Sequence, residues 1–327
     1  MPASLPTAAA EDHLAPLYVE RPDGARLALH VSEPADGSAD LTVVLAHGWS
    51  ASSRIWAGCA TALRARDNRL RVVTFDQRGH GASTPGTESA SIRLLAQDLH
   101  AVIDAVSAHT PVVIAGHSMG GMALMELAAH SPHVVGQRLA GVLLVATSSG
   151  HLDLTASAYP PLTRAVGTAR HALAALCLLA PRPAQHLRDL LQPTSVPRPP
   201  IDVAARWYRA VTTHDVTGQL APLTEVPVHI VTGDADRLIP PVHALRLAAQ
   251  IATSRLHVIP DAGHRLPTEH ADALVDILLG LCAQVRGRTP ERSLRRRRPA
   301  FLRGPRHLLK GRDRQIDVST HREPSRS

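Results

Sequence analysis

From Leu41 onward the chain repeats one rhythm. A short run is apolar at nearly every position, a polar loop follows, and then apolar residues recur three and four apart. The runs are Leu41–Ala46, Leu70–Phe75, 112–115, 141–146, 226–232 and 256–259. Runs of this length and density read as strands buried on both faces. Helical spacing falls near 55–66, 91–108, 241–252 and 268–285, and another helical pattern starts after Ser118. In 91–108 the residues Ile92, Leu95, Leu99, Val102 and Val106 form one apolar stripe. The alternation predicts an α/β fold with a mostly parallel, doubly wound sheet. Ahead of it, Leu17–Glu20 and 25–32 flank Arg21-Pro22-Asp23-Gly24 and read as a hairpin.

The rhythm stops at Thr147. Residues 148–220 hold several prolines and no clear strand, with helical pieces near 161–180, 183–191 and 201–212. So long an interruption inside a compact fold is usually functional, and it is read here as a helical cap insertion over a site. The domain reading is a poorly ordered start at 1–16, a core of 17–147 and 221–285, the cap at 148–220, and a tail at 286–327.

Charge changes the picture of the tail alone. Residues 286–327 carry thirteen arginines and Lys310 against four acids, so the net +7 of the chain leaves −3 for residues 1–285. The run Arg295 to Arg298 fits contact with nucleic acid or an anionic membrane. A disordered, solvated extension is preferred, because no packed pattern accompanies the charge. Three cysteines, Cys59, Cys177 and Cys282, are far apart and odd in number. They read as buried reduced thiols, not as a disulfide framework or a zinc site. No His-Glu-x-x-His or Cys-x-x-Cys pattern occurs, so no metal is expected. With no Lys or Arg in the first twenty residues and no apolar run long enough for a bilayer, a cytoplasmic protein is expected.

The candidate chemistry centres on Gly116-His117-Ser118-Met119-Gly120, a G-x-S-x-G pattern between a strand and a helix. In that context a serine sits on a sharp turn with its hydroxyl above the sheet. The pattern lacks the spacing of a phosphate-binding P-loop. A serine needs a base and an orienting acid. Both occur in loops after later strands, as Gly233-Asp234-Ala235-Asp236 and as Gly263-His264. Such loops gather at the carboxyl edge of an open α/β sheet.

These motifs resemble the α/β-hydrolase superfamily over about residues 17–285. The resemblance rests on His47-Gly48, Asp76-x-Arg78-Gly79-x-Gly81-x-Ser83, Gly116-His117-Ser118-Met119-Gly120-Gly121, Gly233-x-x-Asp236-x-x-x-Pro240 and Gly263-His264. It implies Ser118 as nucleophile, His264 as base and Asp236 as acid, with Asp234 as the lesser candidate. The oxyanion hole would be the backbone N–H groups of Trp49 and Met119. His47 and His80 would shape loops or line the pocket, and His117 would flank the elbow.

The implied function is a serine hydrolase that cleaves a carboxylic ester, or a related acyl bond, through an acyl-enzyme and without a cofactor. Its partner would be a small-molecule ester with an apolar portion. Thioesterase, lactonase, C–C bond hydrolase and cofactor-free haloperoxidase activities use the same groups. A non-catalytic ligand-binding protein on the same fold is the alternative of another class. In the interruption, Trp207 and Tyr208 are read either as pocket lining or as packing onto the core. His214 and Asp215 are read as a solvated or capping pair.

Overall fold

Two strands carry the centre of the molecule. β3 (Leu41–Ala46) and β5 (Val112–His117) run parallel with Val44 opposite Ile114, and every residue of both is buried. Their side chains alternate between two apolar layers, which is why Thr42 and the terminal His117 are the only polar positions in the two runs. Leu41, Val43 and Leu45 face one layer with Val113, Leu63 and Leu278. Val44 and Ala46 face the other with Ile114, Leu99 and Leu124. Each such side chain, fully buried, contributes about 1.5–3 kcal/mol.

The computed structural model describes residues 16–107, 110–152 and 199–288. Further strands are β1 (Leu17–Glu20), β2 (Arg26–Ser32), β4 (Leu70–Phe75), β6 (Leu139–Val145), β7 (Val228–Gly233) and β8 (Arg255–Ile259). They join β3 and β5 in one sheet of order β1-β2-β4-β3-β5-β6-β7-β8. β1 and β2 form the antiparallel hairpin read from the sequence, and β2 is antiparallel to β4. From β4 to β8 all pairs are parallel.

Helices cover both faces. α1 (Ala57–Arg66) and α7 (Ala271–Arg288) pack on one, while α2 (Ile92–Val106), α3 (Met119–His130) and α5 (Val242–Gln250) pack on the other. The expected stripe of α2 is buried throughout, and its N-terminus is capped by Ser91, whose Oγ accepts the Leu94 N–H at 3.1 Å. α4 (Ile201–Thr213) lies between β6 and β7 in the chain and corresponds to the piece read at 201–212. A four-residue turn, α6 (Leu266–Glu269), precedes α7. His270 leaves helical geometry between them, with φ −134°, so the single helix expected from 268 is two.

The order of strands creates the place for a site. The chain leaves β3 toward β4, then crosses back to β5 on β3's other side. The loops after β3 and β5 therefore diverge over a crevice at their carboxyl ends, where ligands bind in open α/β sheets.

The last helix runs to Arg288. Arg286 bonds Asp40 through Nη2 at 2.7 Å and Asp67 through Nη1 at 2.5 Å, so it belongs to the folded body. The helical pieces near 161–180 and 183–191, Cys177, the first fifteen residues and the arginine run at 295–298 lie outside the described residues. Among the described residues no helix is long and apolar enough to cross a membrane.

Candidate active site

One residue makes the reversal from β5 into α3. Ser118 has φ 52° and ψ −118°, a conformation that costs a residue with a Cβ roughly 1–3 kcal/mol. Close packing holds it there. A Cβ on Gly116 would stand 2.6 Å from the Gly120 carbonyl oxygen, and one on Gly120 would stand 2.5 Å from that of Ala46. The Ser118 N–H donates to Val145 at 2.9 Å, and its carbonyl accepts the Thr147 hydroxyl at 2.7 Å. Both ends of the peptide are thus tied to β6 and the loop after it. The side chain of Ser118 is left nearly buried at the crevice.

The two carboxylates after β7 differ sharply. Asp234 is exposed. The Asp236 side chain is fully buried, and its Oδ2 lies 2.8 Å from Nδ1 of His264. Its Oδ1 accepts the N–H groups of Leu238 (2.8 Å) and Ile239 (2.9 Å). Two backbone donors fix the carboxylate in place. It therefore takes the Nδ1–H of His264 and leaves the lone pair on Nε2.

His264 is held from its backbone side too. The Nε2–H of His117 donates to the His264 carbonyl at 2.8 Å, and the two rings lie 4.8 Å apart. Nothing in the sequence pattern signals this contact, because its acceptor is a main-chain oxygen far along the chain.

The loop after β3 lies beside the serine: a Cβ on Gly48 would be 3.0 Å from that of Ser118. His47 shapes this loop. Its Nε2 accepts the Gln77 N–H at 2.9 Å, so the proton sits on Nδ1 and goes to the Gly48 carbonyl at 2.8 Å. Burial holds His47 neutral, below its ordinary pKa. The Gln77 amide also donates to the His47 carbonyl. His80 accepts the Ser50 N–H at 3.3 Å, and burial together with His47 pushes its pKa down to about 3. Trp49 extends from the loop to α4, its indole N–H donating to the Ala204 carbonyl at 2.8 Å. Met119 is the first residue of α3, so its N–H has no partner within the helix.

A strained serine and a histidine oriented by a buried acid suit attack on a carbonyl carbon. The sequence profile of the alpha/beta hydrolase family matches residues 43–277. This chain belongs to the alpha/beta hydrolase family. Similar proteins include the sn-1-specific diacylglycerol lipase ABHD11 of Mus musculus, 40% identical over 31% of this chain. The chain covers only 32% of that protein's length. A protein named as a candidate carbamate hydrolase, RutD, of Variovorax paradoxus (strain S110) is 28% identical over 78% of this chain and 95% of its own. A solved thermophilic esterase from Thermogutta terrifontis is 21% identical, covers 83% of this chain and 99% of its own, and has a TM-score of 0.64. That structural likeness concerns the fold.

In this α/β hydrolase several histidines lie away from the crevice. His214 is not part of a solvated pair. It is buried, and its Nδ1 lies 3.3 Å from Glu126 of α3, while Asp215 is exposed and turns the chain by accepting the Thr217 N–H at 2.9 Å. Trp207 packs onto the core, among Ile92, Leu95, Met119 and Met122. Tyr208 meets the Trp49 ring at 5.5 Å. Among the described residues no group of three or more His, Cys, Asp or Glu side chains could hold a metal ion.

Proposed function

We propose that this hydrolase cleaves a carboxylic ester, or a closely related acyl bond, through an acyl-enzyme on Ser118. The observation that carries the reading is the 2.8 Å bond from His264 to a buried Asp236, beside a serine held at φ 52°. His264 Nε2 takes the Ser118 proton as Oγ bonds to the carbonyl carbon. The N–H groups of Trp49 and Met119 receive the oxygen that becomes negative. His264 then passes that proton to the leaving alkoxide as the C–O bond breaks, and the alcohol departs. Water repeats the sequence: His264 takes its proton, hydroxide adds to the acyl carbon, and Ser118 leaves with the proton and releases the acid. Asp236 fixes the tautomer and stabilises the imidazolium.

Residues 148–220 act as a cap that selects substrate. Met119, which follows Ser118, belongs to a buried apolar cluster with Met122, Leu152, Trp207 and Ile239, and this apolar surrounding suits an aliphatic acyl or alcohol portion. A carbamate carbonyl is attacked in the same way, and the similarity to RutD puts carbamates in the substrate panel.

The test is labelling with a fluorophosphonate, mapped by peptide mass, on the native protein and on Ser118→Ala. An adduct on Ser118 that the variant loses supports the reading. It then justifies a panel of p-nitrophenyl esters, thioesters, lactones and carbamates. Folded native protein that takes no adduct and turns over none of these would favour a binding role on the same fold.

A further inference from the structure

His117 touches three parts of the site at once. It precedes Ser118 in the chain, so the elbow carries it. Its Nε2–H donates to the carbonyl of His264 at 2.8 Å. Its Nδ1 packs against Gly48, 2.8 Å from where a Cβ on that residue would lie. The Nδ1 atom is buried and has no hydrogen-bond partner among the described residues. A bare lone pair costs less to bury there than an N–H, which would lose water and gain no acceptor. The ring is therefore neutral and protonated on Nε2.

We propose that His117 is a positioning residue that spaces the Ser118 elbow, the His264 loop and the Gly48–Trp49 loop, and does so as a permanently neutral donor. The proposal rests on reading Ser118 as nucleophile and His264 as base. Asp236 orients the imidazole of His264 but leaves its main chain free to shift. The bond from His117 fixes the main chain, and it starts one residue from the nucleophile. Small displacements of a base from its nucleophile cost rate steeply.

Neutrality is part of the design. The titratable groups facing His117 are His264, from the loop after β8, and His47, from the loop after β3. Burial and the neighbouring His264 hold the His117 pKa down at about 3, against the smaller lift of its bond to the His264 carbonyl. His264 can thus become a cation during the reaction without facing a second cation 4.8 Å away.

The experiment pairs His117→Gln with His117→Leu, because the glutamine amide keeps a donor near the Nε2 position. Hydrolysis of p-nitrophenyl butyrate should fall about tenfold or more in kcat for the leucine variant, with KM little changed, and glutamine should restore most of it. In the native protein, nitrogen-15 NMR of labelled histidines should give His117 as the Nε2–H tautomer from pH 5 to 9. Leucine within twofold of native, glutamine as slow as leucine, or a His117 that titrates in that range would each overturn the proposal. The NMR measurement and the glutamine variant decide the matter if leucine fails to fold. Loss of the hydrolase reading would appear separately, as native protein that takes no fluorophosphonate on Ser118.

Discussion

The guanidinium of Arg78 lies flat against the carboxylate of Asp98, with Nε to Oδ2 at 2.6 Å and Nη2 to Oδ1 at 2.8 Å. Both side chains are almost wholly buried. Arg78 also donates through Nη1 to Asp23 at 2.6 Å, and Arg21 adds a third bond to Asp98 at 2.9 Å. The cluster ties the loop after β4 to α2 and to the β1–β2 turn. It thereby supports the His80 and Gln77 contacts under the site.

Removing one partner of a buried pair leaves an uncompensated charge and typically costs about 3–5 kcal/mol. Arg78→Met should therefore lower the urea midpoint strongly with the slope unchanged. Asp23 adds a pH signature. Burial works to raise its pKa. The hydrogen bonds from Arg78 and the Glu88 N–H, with the charge of Arg78, outweigh this and lower it from 3.8 to about 2. A depressed carboxylate contributes stability above its unfolded pKa and loses it as pH falls through the folded one. Native stability should drop between about pH 4 and pH 2, and less steeply in Arg78→Met. Equal slopes in the two proteins would remove Asp23 from the account.

The contrast between Asp236 and Asp234 makes the second test. Asp236→Asn keeps the shape but replaces an ionised acceptor with an amide, which favours the wrong tautomer of His264 and withdraws the charge from the imidazolium. A loss of about 10³–10⁴ in kcat is the scale for such a change. Asp234 is exposed, and the Nδ1 of His264 is engaged by Asp236, so Asp234→Asn should stay within about twofold. Ester hydrolysis by the two variants, side by side, separates them. Comparable losses in both would mean that the acid has been misassigned.

Legibility from sequence followed the reach of each interaction. The inner strands of the parallel sheet were readable because both their faces are buried and largely apolar, so no partner needs to be known. The β1–β2 hairpin was readable from its turn, where Gly24 takes φ 82°. The stripe on α2 pointed inward as its spacing requires. Contacts between distant segments were not readable. His214 looked like a loop residue beside an acid, but its partner is Glu126 on α3. His117 looked like a flank of the elbow, and its bond goes to a main-chain carbonyl that no side-chain pattern reports. The choice between two nearby carboxylates leaned on the family motif, and only the fold reveals which of them is buried against His264.

The cysteines offer a test of the core that needs no substrate. Cys59 and Cys282 are fully buried between the sheet and its α1–α7 layer. Burial above all, with Asp272 adding to it for Cys59, pushes both thiols up to about 12. The thiolate is the reactive form, so at pH 8 almost none is present and access is blocked as well. Iodoacetamide at pH 8 should modify neither residue in native protein and both after denaturation, resolved by peptide mass mapping. Rapid modification of either in native protein would mean that this layer opens readily.

Trp49 joins the proposed oxyanion loop to α4. Its backbone N–H is the proposed oxyanion donor, while its indole donates to the Ala204 carbonyl of α4 at 2.8 Å and its ring meets Tyr208. A substrate that shifts α4 would therefore move the loop proposed to stabilise the transition state. Trp49→Phe keeps the backbone donor and much of the ring contact, and removes the indole bond alone. A hydrogen bond of this kind has a net worth of about 0.5–1.5 kcal/mol. If it acts on the oxyanion loop, kcat should fall roughly three- to tenfold, since 1.4 kcal/mol is a factor of ten. KM should change less, because the lost interaction belongs to the transition state. Kinetics on p-nitrophenyl butyrate would read both constants. A raised KM with unchanged kcat would place the bond in substrate binding and detach α4 from the oxyanion loop.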